Sequence, residues 1–450
     1  MLRWCAAVLL LLAAQDGPRA TNALARLWDA EHVSSPLSPL VDHADVVARL
    51  RALQAANPPG PAQLLQIEEV GKSMEGRAIS SVSFGHGPVV VMLWSQMHGD
   101  EATATSALFD LYEYVRIHRS EPAVAQLLSA LTVHTVPMLN PDGAERWQRR
   151  NVQGIDLNRD ALLLQSAEGQ LLKTLRDRWQ PRVGFNLHNQ NWRTSVGSPP
   201  KGAAISLLAV AFDEPRTMSP GRLLTKKIGA VVRDAIEPLA EGRIGRYDDT
   251  FEVRAFGDNL TKWGTPVLLI ETGPWPDVNP DPMLVRLNYI AIVRALHAIA
   301  DGSVERADPG RYDTLPANDS QNLYTIISNV TIIQGSGVAP FVGDVGINAT
   351  RFVRRDTGVR KVGLSSSIDD LGDLRTSGAL FPVDGTGMVI APLVDAAKEG
   401  EDIDLPAWTA DAPSPRLVLP GRPADLMLLK KQESGRYKVI RIFRSVQDVS

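Results

Sequence analysis

Val89-Val90-Val91-Met92-Leu93-Trp94-Ser95-Gln96-Met97-His98-Gly99-Asp100-Glu101 is the stretch on which the fold turns. An apolar run of strand length ends in a polar turn that carries His and Glu three apart, and a helical pattern follows from Ala102 to about Ile117. A strand that delivers an imidazole nitrogen and a carboxylate oxygen at its carboxyl end builds one side of an open zinc site. The helix start also favours negative charge. A second His-x-x-Glu, His118 to Glu121, lies at the far end of that helical pattern with no strand before it, and reads as surface. The first copy therefore acquires meaning only from a third ligand downstream.

Working outward, Asp42 caps a helix running to about Ala56, with Val46, Val47, Leu50 and Leu53 on one face. Strand-like runs at Leu64–Val70 and Ala78–Phe84 flank the glycine-bearing Gly71–Arg77, a hairpin. After position 117 come strands at Leu131–Val136, Val183–Leu187 and Val267–Ile270. Helices fall at Arg222–Ala240 and Met283–Ala300. Strands alternating with helices imply an α/β domain whose mixed, mostly parallel sheet is flanked by helices. From Leu323 onward only strand patterns remain, at Leu323–Ile327, Val330–Ile333, Arg351–Val353, Met388–Ile390, Asp425–Leu429 and Tyr437–Phe443. The expected division is a signal peptide over 1–23, a catalytic domain over 24–302, a linker over 303–321 and a smaller β-rich domain over 322–450, with no aromatic cluster marking a binding face in the last.

The 450 residues, with a hydrophobic share of 44%, suffice for one large or two medium cores. A formal net charge of −4 gives no reason to expect nucleic acid or an anionic membrane as partner. Arg3 precedes an apolar run from Cys5 to Ala14, broken by Gln15-Asp16-Gly17-Pro18. That run is too short to span a bilayer and fits a signal-peptide core, with imperfect cleavage sites at Pro18-Arg19-Ala20 and Thr21-Asn22-Ala23. No other apolar stretch looks long enough for a membrane helix, so no stable insertion is expected once the signal is removed. The single cysteine, Cys5, lies in the same segment, which excludes thiolate chemistry and Cys-ligated zinc from the mature chain. An exported, periplasmic or secreted bacterial enzyme without disulfides fits these features.

The downstream evidence starts in the loop Pro137-Met138-Leu139-Asn140-Pro141-Asp142-Gly143, which continues through Trp147-Gln148-Arg149-Arg150-Asn151 to Gly154-Ile155-Asp156-Leu157-Asn158-Arg159-Asp160. Arginines leaving a strand end can hold a carboxylate and a developing oxyanion, although a solvated basic loop has the same composition. His188 ends the apolar strand Val183–Leu187, and Glu271 follows Val267–Ile270 directly. A carboxylate placed there is costly unless paired or functional. Three strands that each end in a ligand-type residue are the layout of an α/β site at strand carboxyl ends.

In this order the motifs resemble the zinc carboxypeptidase family, the funnelins related to pancreatic carboxypeptidase, in a compact bacterial form with an added C-terminal domain. The resemblance covers Asp42 to Ala300 and includes Gly-x-Ser-x-Glu-Gly-Arg at Gly71–Arg77. It implies one Zn2+ held by His98, Glu101 and His188, with Asp156 orienting a ligand histidine. It implies Asn158 and Arg159 on the substrate's terminal carboxylate, and Arg149 on the scissile carbonyl with Arg150 as rival. Glu271 becomes the general base for a zinc-bound water, and Tyr247 the candidate for the family's mobile tyrosine. The departures are Asp100 where pancreatic enzymes carry arginine, Asn189-Gln190-Asn191 after the third ligand, and Gly257 where a selector side chain stands in those enzymes. Arg254 nearby then suggests an acidic preference.

The implied function is release of C-terminal residues from peptides, the partner being a peptide or peptide-like molecule with a free carboxylate. An exported amidase or deacylase acting on murein peptides or N-acyl amino acids needs the same groups. A silent zinc- or peptide-binding protein is the third reading, opposed by the intact His98, Glu101, His188 and Glu271.

Overall fold

The structure, a computed structural model, describes residues 17–36, 38–57, 60, 63–356 and 359–449. Strands β1 (Gln66–Lys72), β2 (Ala78–Gly85), β3 (Val89–Ser95), β4 (Leu131–Val136) and β5 (Val183–Asn189) come first. The short pair β6 (Ser195–Val196) and β7 (Lys201–Gly202) follows, then β8 (Ile205–Ala209), β9 (Ile244–Arg246) and β10 (Val267–Thr272). All but β6 and β7 form one eight-stranded mixed sheet in the order β1-β2-β4-β3-β5-β10-β8-β9. The central neighbours β4, β3, β5 and β10 run parallel. Parallel strands need cover on both faces, and β3, β5 and β10 are buried almost throughout.

Side chains alternate along a strand, so register decides who shares a face. Trp94 pairs with Asn186 across β3 and β5, and Glu271 with His188 across β10 and β5. Met92, Trp94, Asn186, His188, Leu269 and Glu271 thus line one face. The apolar members there pack with Leu172 and Leu175 of the helix Ala167–Trp179 and with Phe256 and Leu260.

Two units divide the chain. The first takes residues up to Gln190, Ala203–Gly273 and Asn279–Asn318; the second takes Asn191–Gly202, Pro274–Val278 and Asp319–Ser450. The stretch 303–321, expected as a linker, is folded into the first unit as far as Asn318. Its polar composition hides one anchor: Tyr312 is buried and its hydroxyl accepts the Ala209 N–H at 2.9 Å. Gly229 makes room for that ring, since a Cβ there would stand 2.7 Å from Tyr312 Cδ2.

At the other end, Gly17–Glu31 is a helix that buries Ala20, Ala23, Leu24, Leu27 and Trp28. Both imperfect cleavage sites fall inside this helix, while the apolar run Cys5–Ala14 lies outside the described residues. Trp28 donates to Asp110 at 2.7 Å, and Asp110 also accepts the Val33 and Ser34 N–H groups. The helix His43–Ala56 starts in a capping box between Asp42 and Asp45. Contrary to the sequence expectation, one further helix, Asp281–Ala300, is long and apolar enough by length and composition to cross a membrane; 72% of its apolar window is buried within the fold.

In the second unit, β11 (Asn322–Ile332), β12 (Phe341–Asp356), β13 (Val359–Gly372), β14 (Gly378–Asp384), β15 (Val389–Pro392), β16 (Asp402–Ile403), β17 (Leu426–Lys431), β18 (Tyr437–Phe443) and β19 (Val446–Asp448) form a nine-stranded sheet. Two strand runs expected at 323–333 are one strand with a register shift between Ile327 and Val330. This unit does hold an aromatic group, which 322–450 alone could not show because Trp192 completes it. Trp192 and Tyr324 are 5.8 Å apart, Tyr324 and Phe381 5.0 Å, and the Arg351 guanidinium sits 5.2 Å from the Trp192 ring centre.

Segment 191–202 folds with the second unit: Ser195 N–H donates to Asp319 O at 2.7 Å, and Asn322 N–H to Arg193 O at 3.1 Å.

Candidate metal centre

The turn after β3 is held from several sides. Gln96 adopts a left-handed backbone (φ 50°), a conformation that costs a non-glycine residue about 1–2 kcal/mol. Its surroundings impose it. The Gln96 side chain donates to Gly99 O at 3.0 Å and accepts from Thr105 Oγ1 at 2.9 Å, and its carbonyl accepts the Asn140 N–H at 3.0 Å. Asn140, fully buried, donates to Met97 O at 3.2 Å and Arg149 O at 3.4 Å while accepting the Gly143 N–H at 2.9 Å. Gly99 lies on the next turn so closely that a Cβ would stand 2.0 Å from Gly143 C.

On this support three side chains converge: one ligand atom each from His98, Glu101 and His188, all within 4.8 Å of one another. His98 Nδ1 lies 2.8 Å from Glu101 Oε1, and His188 Nδ1 lies 2.7 Å from Glu101 Oε2. The two Nδ1 atoms are 3.1 Å apart. His98 Nε2 faces Asp156 Oδ1 at 3.1 Å, a contact that favours a proton on Nε2 and turns Nδ1 inward, where a bound metal would take its lone pair. Two such nitrogens and a carboxylate aimed at one point fit a zinc ion with an open position.

The electrostatics agree. Burial opposes charge on His98, but Glu101 and the bond to Asp156 outweigh it and raise the imidazole to about 9. Burial likewise opposes ionisation of Glu101, yet the facing His98 and His188 hold it well below the usual carboxylate range. The surroundings favour a positive charge here. Among the described residues this is the one such cluster. The second His-x-x-Glu does not join it. Expected at the surface, His118 is buried, its Nε2 lying 2.7 Å from Glu31 of the N-terminal helix.

Around the cluster, Arg149 donates to Asp156 at 3.0 Å and Glu101 at 3.3 Å. Arg150 is not brought in; its guanidinium donates to Gly154 O at 3.0 Å. Glu271 is buried and its Oε2 has no hydrogen-bond partner. Burial first, and then the Glu101 charge, push its carboxyl up to about 8. Burial first, and then the Glu271 charge, lift the Tyr247 phenol to about 12. Asn158 accepts the Phe256 N–H at 3.0 Å, which fixes the loop to the helix Phe256–Lys262. Arg159 lies 3.3 Å from Glu252, and Glu252 also holds the exposed Arg254. Gly257 stands against Asn186, a residue the sequence did not single out, and neither were Gln96 and Trp94; Asn140 was quoted only as part of a turn. Asn186, at 1% exposure, has both side-chain polar atoms unpaired, and so has the fully buried Trp94 its Nε1. Each such atom costs about 1–3 kcal/mol.

An α/β sheet whose strand tips gather a nitrogen–oxygen–nitrogen set beside a buried carboxylate and an arginine defines a domain with a candidate zinc site. The zinc carboxypeptidase family model matches residues 46–226, and that segment belongs to the family. Carboxypeptidase M of Mus musculus is 28% identical over 116 residues, 22% of this chain and 26% of the relative. Carboxypeptidase E of Caenorhabditis elegans is 30% identical over 119 residues, 22% of this chain and 25% of the relative. The chain thus spans about a quarter of the length of these curated relatives. A solved metallo-carboxypeptidase from Burkholderia cenocepacia aligns over 58% of this chain and 69% of its own, at 18% identity and a TM-score of 0.44.

Gly99→Ala must push the ligand turn off Gly143. Zinc affinity is expected to fall at least about tenfold, with a lower Tm, because strain at a packed backbone contact has no cheap relief. Competition with a chelator measures the first and a calorimetric melt the second; unchanged affinity would show that the contact does not set the turn.

Proposed function

We propose that this chain is an exported zinc-dependent peptidase that removes C-terminal residues from peptides. The observation that carries the reading is the placement of Glu271. It is in register with His188, buried and unpaired at Oε2, beside the Arg149 that touches Glu101 and Asp156.

His98, Glu101 and His188 would hold one zinc ion. When bound, such an ion supplies Lewis acidity and lowers the pKa of a water to about 7. Glu271 then takes a proton from the attacking water and delivers it to the leaving amine. Its raised proton affinity suits both halves of that transfer. Arg149 donates to the oxygen that gains charge as the amide carbonyl becomes tetrahedral. Asp156 keeps the His98 ring in one tautomer and Arg149 in one rotamer, so neither has to reorganise during reaction. Asn158 and Arg159 would orient the substrate's terminal carboxylate, a positioning effect that reaches roughly 7 kcal/mol or more in well-oriented systems. Tyr247 closes over the bound peptide from the edge of the site.

One observation favours a second reading, an amidase or deacylase. Arg159 is already engaged by Glu252 at 3.3 Å, which reduces its hold on a free carboxylate. For the peptidase, the substrate carboxylate has to compete with Glu252.

Glu271→Gln is expected to cut kcat by about 100- to 10,000-fold with zinc content unchanged, the range of a lost general base. Metal analysis beside a turnover assay checks it; normal turnover would remove Glu271 from the mechanism. Peptides with free termini are expected to be cut and their C-terminal amides spared, as mass spectrometry of a digested peptide panel will show. Equal cleavage of both would favour the amidase.

A further inference from the structure

Asn186 lies two residues before His188 on β5, so both side chains leave the same face of the sheet. In register it stands between Trp94 of β3 and Leu269 of β10. Trp94 and Leu269 belong to an apolar core cluster that also holds Val210 and Phe256. Asn186 Nδ2 and Oδ1 are unpaired, as is Trp94 Nε1. Gly257 is near: a Cβ there would stand 3.8 Å from Asn186 Nδ2 and 3.5 Å from Val210 Cγ2. Buried polar atoms are almost always satisfied in a working protein, so a donor and an acceptor left open one row behind a metal ligand ask for a partner that arrives from outside.

We infer that Asn186 selects the side chain of the residue released, and that the preferred side chain is a carboxamide, glutamine above all. The inference rests on the peptidase reading given above. A carboxamide presents one acceptor and one donor, the complement of Nδ2 and Oδ1. A carboxylate would set its charge against Oδ1, and Arg254 is exposed and held by Glu252. An ammonium would find one acceptor for its three donors. An aliphatic side chain would leave every polar atom unpaired, and a site built to hydrogen-bond its ligand rejects analogues that cannot. Val210 closes the space beside Gly257, so the entering side chain displaces it, and the hydrogen bonds gained offset that movement.

The test compares peptides identical except for a terminal Gln, Met or Glu, using the zinc-loaded full chain and Asn186→Leu. The wild type is expected to favour Gln over Met and Glu at least about tenfold in kcat/KM, and Asn186→Leu to reverse the order of Gln and Met. Asn186→Asp keeps the shape and removes the donor; it must also lower the Gln preference if the leucine variant fails to fold. Calorimetric binding of free glutamine and methionine to Glu271→Gln protein gives the same comparison without turnover. Release of Met or Glu as readily as Gln, or an unchanged ratio in the variants, would overturn the inference and leave a trapped water as the partner of Asn186. If no peptide is cut, the peptidase reading fails, and glutamine binding no tighter than methionine would then sink the role of Asn186 as well.

Discussion

A carboxylate cannot stay ionised inside a protein without cations or donors around it, and Glu101 is the buried carboxylate on which the first unit depends. His98 faces one oxygen; His188 and the Asn189 N–H face the other. These partners come from two parallel strands that are neighbours only because the sheet runs β4-β3-β5-β10. Sheet order, register and ligand set are therefore one constraint. Shifting β5 by one residue against β3 would turn His188 to the opposite face and leave Glu101 without half of its company.

That constraint explains which features were legible in the sequence. An apolar run ending in His or Glu states both the strand and the direction in which its last side chain points, so His98, His188 and Glu271 could be read directly. The clamp behind them could not. Gln96 and Asn140 act through amides bonded to backbone carbonyls, and an amide side chain carries no pattern that distinguishes this use from a solvated one. Asn186 is hidden for a related reason: inside Gly184-Phe185-Asn186-Leu187 it interrupts an apolar strand, and its meaning lies in which neighbours fail to satisfy it. His118 misled in the opposite sense, because its partner Glu31 lies on the helix Gly17–Glu31, whose first residues read as signal peptide.

The arginines illustrate how context reassigns a composition. Four lie between positions 146 and 159, and the sequence alone makes them equivalent. Arg146 is bound to Glu75, Arg149 to Asp156 and Glu101, Arg150 to a loop carbonyl, and Arg159 to Glu252. Arg149 alone among these is tied to the ligand set. Glu252 restrains both Arg159 and Arg254, so this side of the loop is less cationic than its sequence implies.

The same logic reaches the second unit through the covalent chain. β5 carries His188 and β10 carries Glu271, and the chain passes into the second unit just beyond each of them, at Asn191 and at Pro274. Before each crossing the first unit fixes the chain tightly. Gln190 donates its N–H to Thr272 O and its side chain to Ala203 O and Ser206 Oγ. Gly273 approaches Ala203 O so closely that a Cβ would stand 2.0 Å away. A metal ligand and the proposed base therefore each stand just before a crossing of the covalent chain, and at both points bonds and close contacts inside the first unit fix the backbone.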